Sequence, residues 1–385
     1  MARVPFRQFV LKIHSRCNLA CEYCYIYEGA DTSWRRRPVR MAPDILRRTV
    51  RRISEHAATH GLAGIRVDLH GGEPLLAGPG PLVSAAAQLR AALPPSCVLD
   101  ITVQTNGTLL TEAVLDRLSA AGIRVGISLD GGTAVLNARR VDHGGRPSWP
   151  AVSRAARLLS TRPGTYSGVL ATIDVDADPA EVYSSLVSLR PPSMDLLLPH
   201  ANWTTRPAVG DGEPAPHGRW LRTAFDLWWD AVPAAPPVRL FREIIGLLLG
   251  RPGTSEAVGL SPMAALVVDT DGSIEQVDSL KSAYEGAAVT GFHVATEALD
   301  DVLDHPGVVA RQLGSAGLAP QCGRCSLAGV CGGGNYAHRY REGSGYLHPS
   351  VYCADLETLI RHVALRLQAA LPYTPDRVAD LPTTP

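Results

Sequence analysis

The chain is short of lysine, of net charge and of long apolar runs, and each shortage removes something. Lysine occurs only at Lys12 and Lys281 among 37 basic residues, a bias that reads as coding preference rather than chemistry. Acidic residues also number 37, so the formal net charge is zero. Broad binding to nucleic acid or to an anionic membrane surface needs excess positive charge and is not expected. No stretch reaches the ~18 apolar residues of a membrane span, and Met1-Ala2-Arg3-Val4-Pro5 has no apolar signal core. The cytoplasm is therefore the expected compartment. What remains is 385 residues with 45% hydrophobic content, enough for one large domain and a smaller one.

Cysteine is present, and unevenly. Of eight, Cys17, Cys21 and Cys24 lie at one end, Cys322, Cys325, Cys331 and Cys353 at the other, and Cys97 alone. In a cytoplasmic chain such groups point to metal binding or catalysis rather than disulfides. Cys97 opens a buried-looking strand and reads as core. Cys17, Cys21 and Cys24 form C-x3-C-x2-C just after an apolar run. Three thiolates on a cubane cluster leave one iron without a protein ligand, where a small molecule can bind. A zinc knuckle or three half-buried thiols would use the same residues, so the surrounding motifs must decide.

Residues 8–13, 65–69, 99–104, 124–129, 168–173 and 195–198 read as strands. Helical patterns near 43–60, 81–93, 111–121, 149–160 and 179–189 separate them. Strand and helix alternating in this way predict a parallel α/β sheet, open or curved into a barrel. The unusual residues fall just past the strand ends: the cysteine loop, Gly71-Gly72-Glu73-Pro74, Thr105-Asn106-Gly107, and Ser128-Leu129-Asp130-Gly131. In (β/α) barrels those ends form the face that carries the chemistry. Arg35-Arg36-Arg37 and the arginines of 47–52 read as a solvated helix face and its approach. A Pro- and Gly-rich loop is expected at 205–216. Two helices follow, through Trp220 to Trp229 and Val238 to Leu249, whose apolar stripes suggest packing. After a linker at 250–253, a hairpin is expected around Asp269-Thr270-Asp271-Gly272.

These motifs resemble those of radical S-adenosylmethionine (SAM) enzymes. C-x3-C-x2-C with Tyr23 before the last cysteine is similar to their cluster loop, and Gly71-Gly72-Glu73-Pro74 to their GGEP loop. The resemblance implies an α/β fold with a partial (β/α)6 barrel over 1–204. It implies a four-iron cluster on Cys17, Cys21 and Cys24, its open iron chelated by SAM. Gly71, Gly72 and Glu73 would meet the SAM amino group, Ser128 and Arg140 its ribose and carboxylate, and Tyr23 its adenine. Arg139 is the alternative to Arg140, and Asn106 is expected to shape its turn. A helical bridge and linker would occupy 205–253, and a smaller α+β domain with a C-terminal helix 254–385. In that domain Cys322, Cys325, Cys331 and Cys353 suit zinc or a four-iron cluster, since both accept four thiolates. Behind a radical SAM barrel they resemble the SPASM auxiliary-cluster domain, which implies iron.

Residues 196–203, 267–275, 277–281 and 331–336 resemble the FxsB-type SPASM maturases, which form cyclophanes in ribosomally made peptides. This resemblance implies reductive SAM cleavage to a 5′-deoxyadenosyl radical, hydrogen removal from a peptide Cβ, and attack of that carbon on a nearby aromatic ring. A precursor peptide and an electron donor such as flavodoxin or ferredoxin would be the partners. With the first strand so near Met1, no leader-binding domain is expected. A formylglycine-forming sulfatase maturase, or a non-catalytic iron–sulfur or zinc scaffold, are the rival readings. Asp278, placed where sulfatase-maturing relatives carry a carboxylate, is the expected acid/base. The full SPASM pattern has seven cysteines. Ala264 or Ala265, Val277 and Asn335 stand where three of them would be, so one auxiliary cluster is expected, with room for peptide at the other site.

Overall fold

The computed structural model describes residues 3–207 and 214–370; within the loop expected at 205–216, residues 208–213 lie outside the described residues. Six strands, β1 (Gln8–His14), β2 (Gly64–Gly71), β3 (Val98–Thr105), β4 (Arg124–Ser128), β5 (Tyr166–Thr172) and β6 (Met194–Leu197), alternate with α1 (Pro43–Thr59), α2 (Pro79–Ala92), α3 (Glu112–Ala120), α4 (Trp149–Ser160) and α5 (Pro179–Ser188). Every expected boundary holds within two residues. The local reasons are ordinary ones. Proline opens α1, α2, α4 and α5, where its missing N–H costs nothing. Thr111 and Asp178 accept N–H bonds at the starts of α3 and α5 as N-caps. The strands pair in parallel in sequence order, and helices cover the outer face of the curved sheet.

Two further helices, α6 (Pro216–Ala231) and α7 (Arg239–Leu248), pack with the C-terminal helix Cys353–Ala370. Their aromatics are core, as their stripes suggest: Phe225 stacks on Trp229 and meets Phe241 edge-on. The hairpin β7 (Ala265–Val268) and β8 (Ser273–Glu275) forms around 269–272, followed by β9 (Val289–His293). Its placement is not what a separate domain would give. β7 pairs in parallel with β1, Gln8 opposite Ala265 through Leu11 opposite Val268, so the order β6-β5-β4-β3-β2-β1-β7-β8-β9 is one sheet. The residues after the linker thus extend the open edge of the barrel, and one apolar core runs through both parts.

Candidate active site

The cysteine loop leaves the carboxyl end of β1 and is pinned to the loop after β2. The amides of Gly72 and Glu73 donate to the carbonyls of His14 and Arg16, both at 2.9 Å. A side chain on Gly71, at φ +145°, would strike the His14 carbonyl, and one on Gly72 the Tyr27 hydroxyl and the Arg16 carbonyl. These glycines are required for two loops of the chain to touch, a demand separate from any ligand. The Ala20 amide donates to the Val141 carbonyl at 2.8 Å, tying the loop to the one after β4.

Burial pushes the Cys17 thiol up to about 12 and the Cys21 thiol up to about 11, and Cys24 rises for the same reason. Such thiols stay protonated at neutral pH until a metal displaces the protons. Cys17 Sγ already accepts N–H bonds, from the Leu19 amide at 3.4 Å and Asn106 Nδ2 at 3.7 Å. Asn106 does shape its turn, accepting from the Thr108 amide and hydroxyl, but its other end reaches the cluster loop. Sequence reasoning credited only the first role.

Glu73 is fully buried. Its carboxylate accepts from the Leu75 amide (2.9 Å), the Thr105 hydroxyl (2.8 Å) and the Asn106 amide (2.7 Å). Burial raises its pKa to about 7 against the pull of those donors. Oε1 takes two bonds and Oε2 one, leaving an acceptor site on Oε2. Ser128 ends β4 and accepts from Gln104 Nε2 at 2.8 Å. Arg140 is buried; its Nη1 donates to the Tyr23 hydroxyl at 2.6 Å and lies 3.7 Å from Asp130 Oδ1. The Tyr23 hydroxyl donates in turn to Asp130. Arg140 Nε is buried with no hydrogen-bond partner. Arg139 is half exposed and paired with Glu22 and Asp174. A buried guanidinium with a spare N–H, a spare carboxylate lone pair and three deprotonable thiols around one mouth fit SAM bound to an open-iron cluster.

Asp278 begins a 3₁₀ turn, Asp278–Ser282, directly after β8. Rather than being poised to gain a proton, it is locked as an anion. Burial would raise its pKa, but Lys12, with Nζ at 2.7 Å, and Lys281, at 3.8 Å, outweigh it and bring it to about 2. Both lysines also reach Asp269 at 3.6 Å, and Lys281 reaches Glu275 at 2.7 Å. Arg37 completes the network through Asp271 and Glu275. The solvated reading therefore fails at Arg37, while Arg47 and Arg48 do pair with Asp44 at the surface. Facing Asp278 are Tyr25, His70 and His200. His200 lies against the Tyr25 ring at 4.3 Å, its Nδ1 buried without a partner, and burial lowers its pKa to about 4. It is a neutral imidazole just past β6. Asn202 and Trp203, next along, are clamps: Asn202 Nδ2 donates to the Ser282 carbonyl and Trp203 Nε1 to the Pro349 carbonyl.

The C-terminal thiols converge. Cys331 adjoins Cys353 and Cys322, and Cys353 adjoins Cys322 and Cys325, each negative charge raising the others on top of burial. Among the described residues no three thiols have sulfurs all within 4.8 Å of one another. A tetrahedral zinc with Zn–S of ~2.3 Å sets its sulfurs ~3.8 Å apart; a cubane, with each thiolate on its own iron, holds them wider. At the other auxiliary position the ground is filled rather than open. Val277 packs on Leu280, Ala283, Ala287, Ala288 and Ala337, with Tyr336, Tyr340 and Tyr346 around them, and Asn335 Oδ1 accepts the Ala337 amide. Cys97 is core.

Residues 11–182 match the model of the Radical SAM superfamily. The chain is 28% identical over 355 residues to a serine-type anaerobic sulfatase-maturating enzyme of Klebsiella aerogenes, covering 91% of this chain and 84% of that protein. It is 23% identical over 390 residues to the one from Bacteroides thetaiotaomicron, covering 94% and 90%. The structure of anSMEcpe with bound AdoMet superposes with a TM-score of 0.79 at 21% identity, covering 94% of this chain and 98% of that one. Streptococcus suis SuiB bound to its precursor peptide SuiA gives 0.63 at 16% identity, covering 91% and 76%. At those identities the likeness shows the fold: a barrel-like parallel sheet with a C-terminal part similar to that of anSMEcpe. No described helix is long and apolar enough to cross a membrane. With the cluster loop, the GGEP loop and the six parallel units in their places, the barrel carries the Radical SAM superfamily match and the chain is a radical SAM enzyme acting on a peptide.

Proposed function

We propose that the chain is a peptide maturase that joins a Cβ to an aromatic ring a few residues away, forming a cyclophane in a ribosomally made precursor. The observation carrying this reading is the packed ground at Val277 and Asn335. It leaves Cys322, Cys325, Cys331 and Cys353 as the auxiliary thiolates and departs from the seven-cysteine pattern of the full SPASM domain. When bound, SAM on its cluster supplies a 5′-deoxyadenosyl radical, and an auxiliary cluster one-electron transfer. Cys17, Cys21 and Cys24 would hold the first cluster. Arg140 would pair with the SAM carboxylate, Glu73 with the amino group beside Gly71 and Gly72, Ser128 with the ribose, and Tyr23 would lie at the adenine. The protein's work is positioning and exclusion of competing reactions.

A crosslinked ring must lose one electron and one proton. His200 Nδ1, buried at the mouth without a hydrogen-bond partner, is the group placed to take that proton, since the two lysines hold Asp278 as its anion. Asp278, expected to be the base, is better suited to fixing charge there. An electron donor of the flavodoxin or ferredoxin kind would serve SAM cleavage. The second reading, formylglycine formation, draws on the likeness to the Klebsiella maturase over 91% of this chain.

Enzyme, SAM and dithionite incubated with aromatic-containing candidate peptides separate the two. Both products lose two hydrogens when serine is the target, so mass alone is insufficient. The cyclophane reading expects a product inert to hydrazide, with backbone fragments missing between the joined residues. A hydrazone adduct on a serine or cysteine would replace it with the aldehyde reading.

A further inference from the structure

At the base of the barrel, away from the cysteine loop, three ligand-type side chains meet that the radical chemistry does not use. His56 lies in the last turn of α1, and His60 directly follows that helix. Asp300 comes from the short helix Leu299–Val302 after β9. Asp300 Oδ1 is 2.5 Å from His56 Nδ1 and 2.9 Å from His60 Nε2. Among the described residues this is the sole set of three His, Cys, Asp or Glu ligand atoms within 4.8 Å of one another.

We propose that His56, His60 and Asp300 form a structural site for a divalent transition metal, zinc being the natural occupant. Four observations carry it. The histidines are four apart, one in the last turn of α1 and one at its C-cap, and their ring centroids lie 4.6 Å apart. The His56 ring is fixed between Phe6 and Phe9 and is 2% exposed, so its Nδ1 is aimed rather than searching. Its Nε2 is buried with no hydrogen-bond partner, so Nδ1 is the ring nitrogen that meets Asp300 and His60's side of the cluster. Asp300 is 38% exposed, so its carboxylate can withdraw from hydrogen-bond distance to the spacing a metal needs, while water completes the coordination.

Two imidazoles and one carboxylate suit zinc and its neighbours rather than magnesium or calcium, which prefer all-oxygen sets. The position points to structure rather than catalysis. Because α1 runs back from the carboxyl end of β1 to the start of β2, its last turn lies on the face of the barrel associated with stability. The metal would fasten the helix layer to the segment after β9, the outermost strand. One nearby bond already spans that seam, Arg52 Nε to the Val294 carbonyl at 3.2 Å.

The test uses the full chain with its clusters reconstituted, loaded with zinc and desalted, beside His60→Ala and Asp300→Asn. Both changes fall on partly exposed residues that the fold should tolerate. The wild type should retain about one zinc more than either variant, and zinc should raise its melting temperature but not theirs. Zinc-edge absorption should show only nitrogen and oxygen neighbours at ~2.0–2.2 Å. Equal retention by wild type and variants, or sulfur neighbours at ~2.3 Å, would overturn the site and leave an ordinary histidine–aspartate hydrogen-bonded cluster.

Discussion

Two lysines in a chain with 37 basic residues both lie against the same carboxylate. Coding preference accounts for their scarcity but not for their address. A lysine ammonium is a compact point charge on a flexible stem, so two can be buried against one carboxylate. Lys12 and Lys281 are 5% and 2% exposed, and leaving a buried ion unpaired costs about 3–5 kcal/mol. Lys12→Met should therefore lower the melting temperature sharply, and Asp278→Asn added to it should cost less than the two single losses combined. Strictly additive losses in that double-mutant cycle would show the pair to be uncoupled. The pH dependence has a definite sign. A carboxyl at about 2 in the fold and ~3.9 unfolded stabilises fully above the unfolded value and loses that contribution as pH falls from ~4 towards ~2. Asp278→Asn should flatten this part of the acid-unfolding curve. In turnover, His200→Gln should slow product formation more than 5′-deoxyadenosine release, since it acts after SAM is cleaved; equal slowing of both would remove it from the proton step. Changing Cys17, Cys21 and Cys24 together to Ala should abolish 5′-deoxyadenosine release while the C-terminal iron remains.

Among elements, the contact between the cysteine loop and the Gly71-Gly72 loop is the most demanding. Gly72→Ala puts a methyl into the Tyr27 hydroxyl and the Arg16 backbone. It should cost about 1–3 kcal/mol, as overpacking does, and weaken SAM binding and cluster retention together. Full SAM affinity in a stable Gly72→Ala protein would mean that the two loops can part without harm. This contact also marks how far sequence reading goes. Strands and helices were legible because apolar periodicity and proline starts are local. The loops were legible because barrel chemistry gathers at strand ends. That β7 would pair with β1 was not: the hairpin pattern at 265–275 says strand but not which edge it joins. Arg37 looked solvated because its neighbours Arg35 and Arg36 are. Its burial depends on Asp271 and Glu275, more than two hundred residues away in sequence. His56 and His60, at the end of α1, carry no signal in sequence because Asp300 lies more than two hundred residues away.

For the molecule as a whole, the joined sheet makes cluster number a question about one continuous body. The cysteine loop lies at the carboxyl end of β1 and Asp278 follows the strand next but one in the sheet, so the barrel mouth and the C-terminal part share a floor. A third cluster would need thiolates on that floor, and Val277 and Asn335 offer none: one packs in an apolar cluster and the other caps a turn. Iron–sulfur clusters require soft thiolate ligands in number, so packed alanines and tyrosines cannot substitute. The four outer cysteines are near neighbours, and four thiolates behind a radical SAM barrel favour a four-iron cluster over zinc. Anaerobic reconstitution should therefore give about eight irons per chain, one four-iron cluster for each thiolate set. Cys322→Ala with Cys353→Ala should reduce that to about four while SAM cleavage with dithionite continues, because the first cluster keeps all its ligands. A reproducible count near twelve would require thiolates the chain does not have at those positions, and zinc bound by Cys322, Cys325, Cys331 and Cys353 would refute the iron assignment directly.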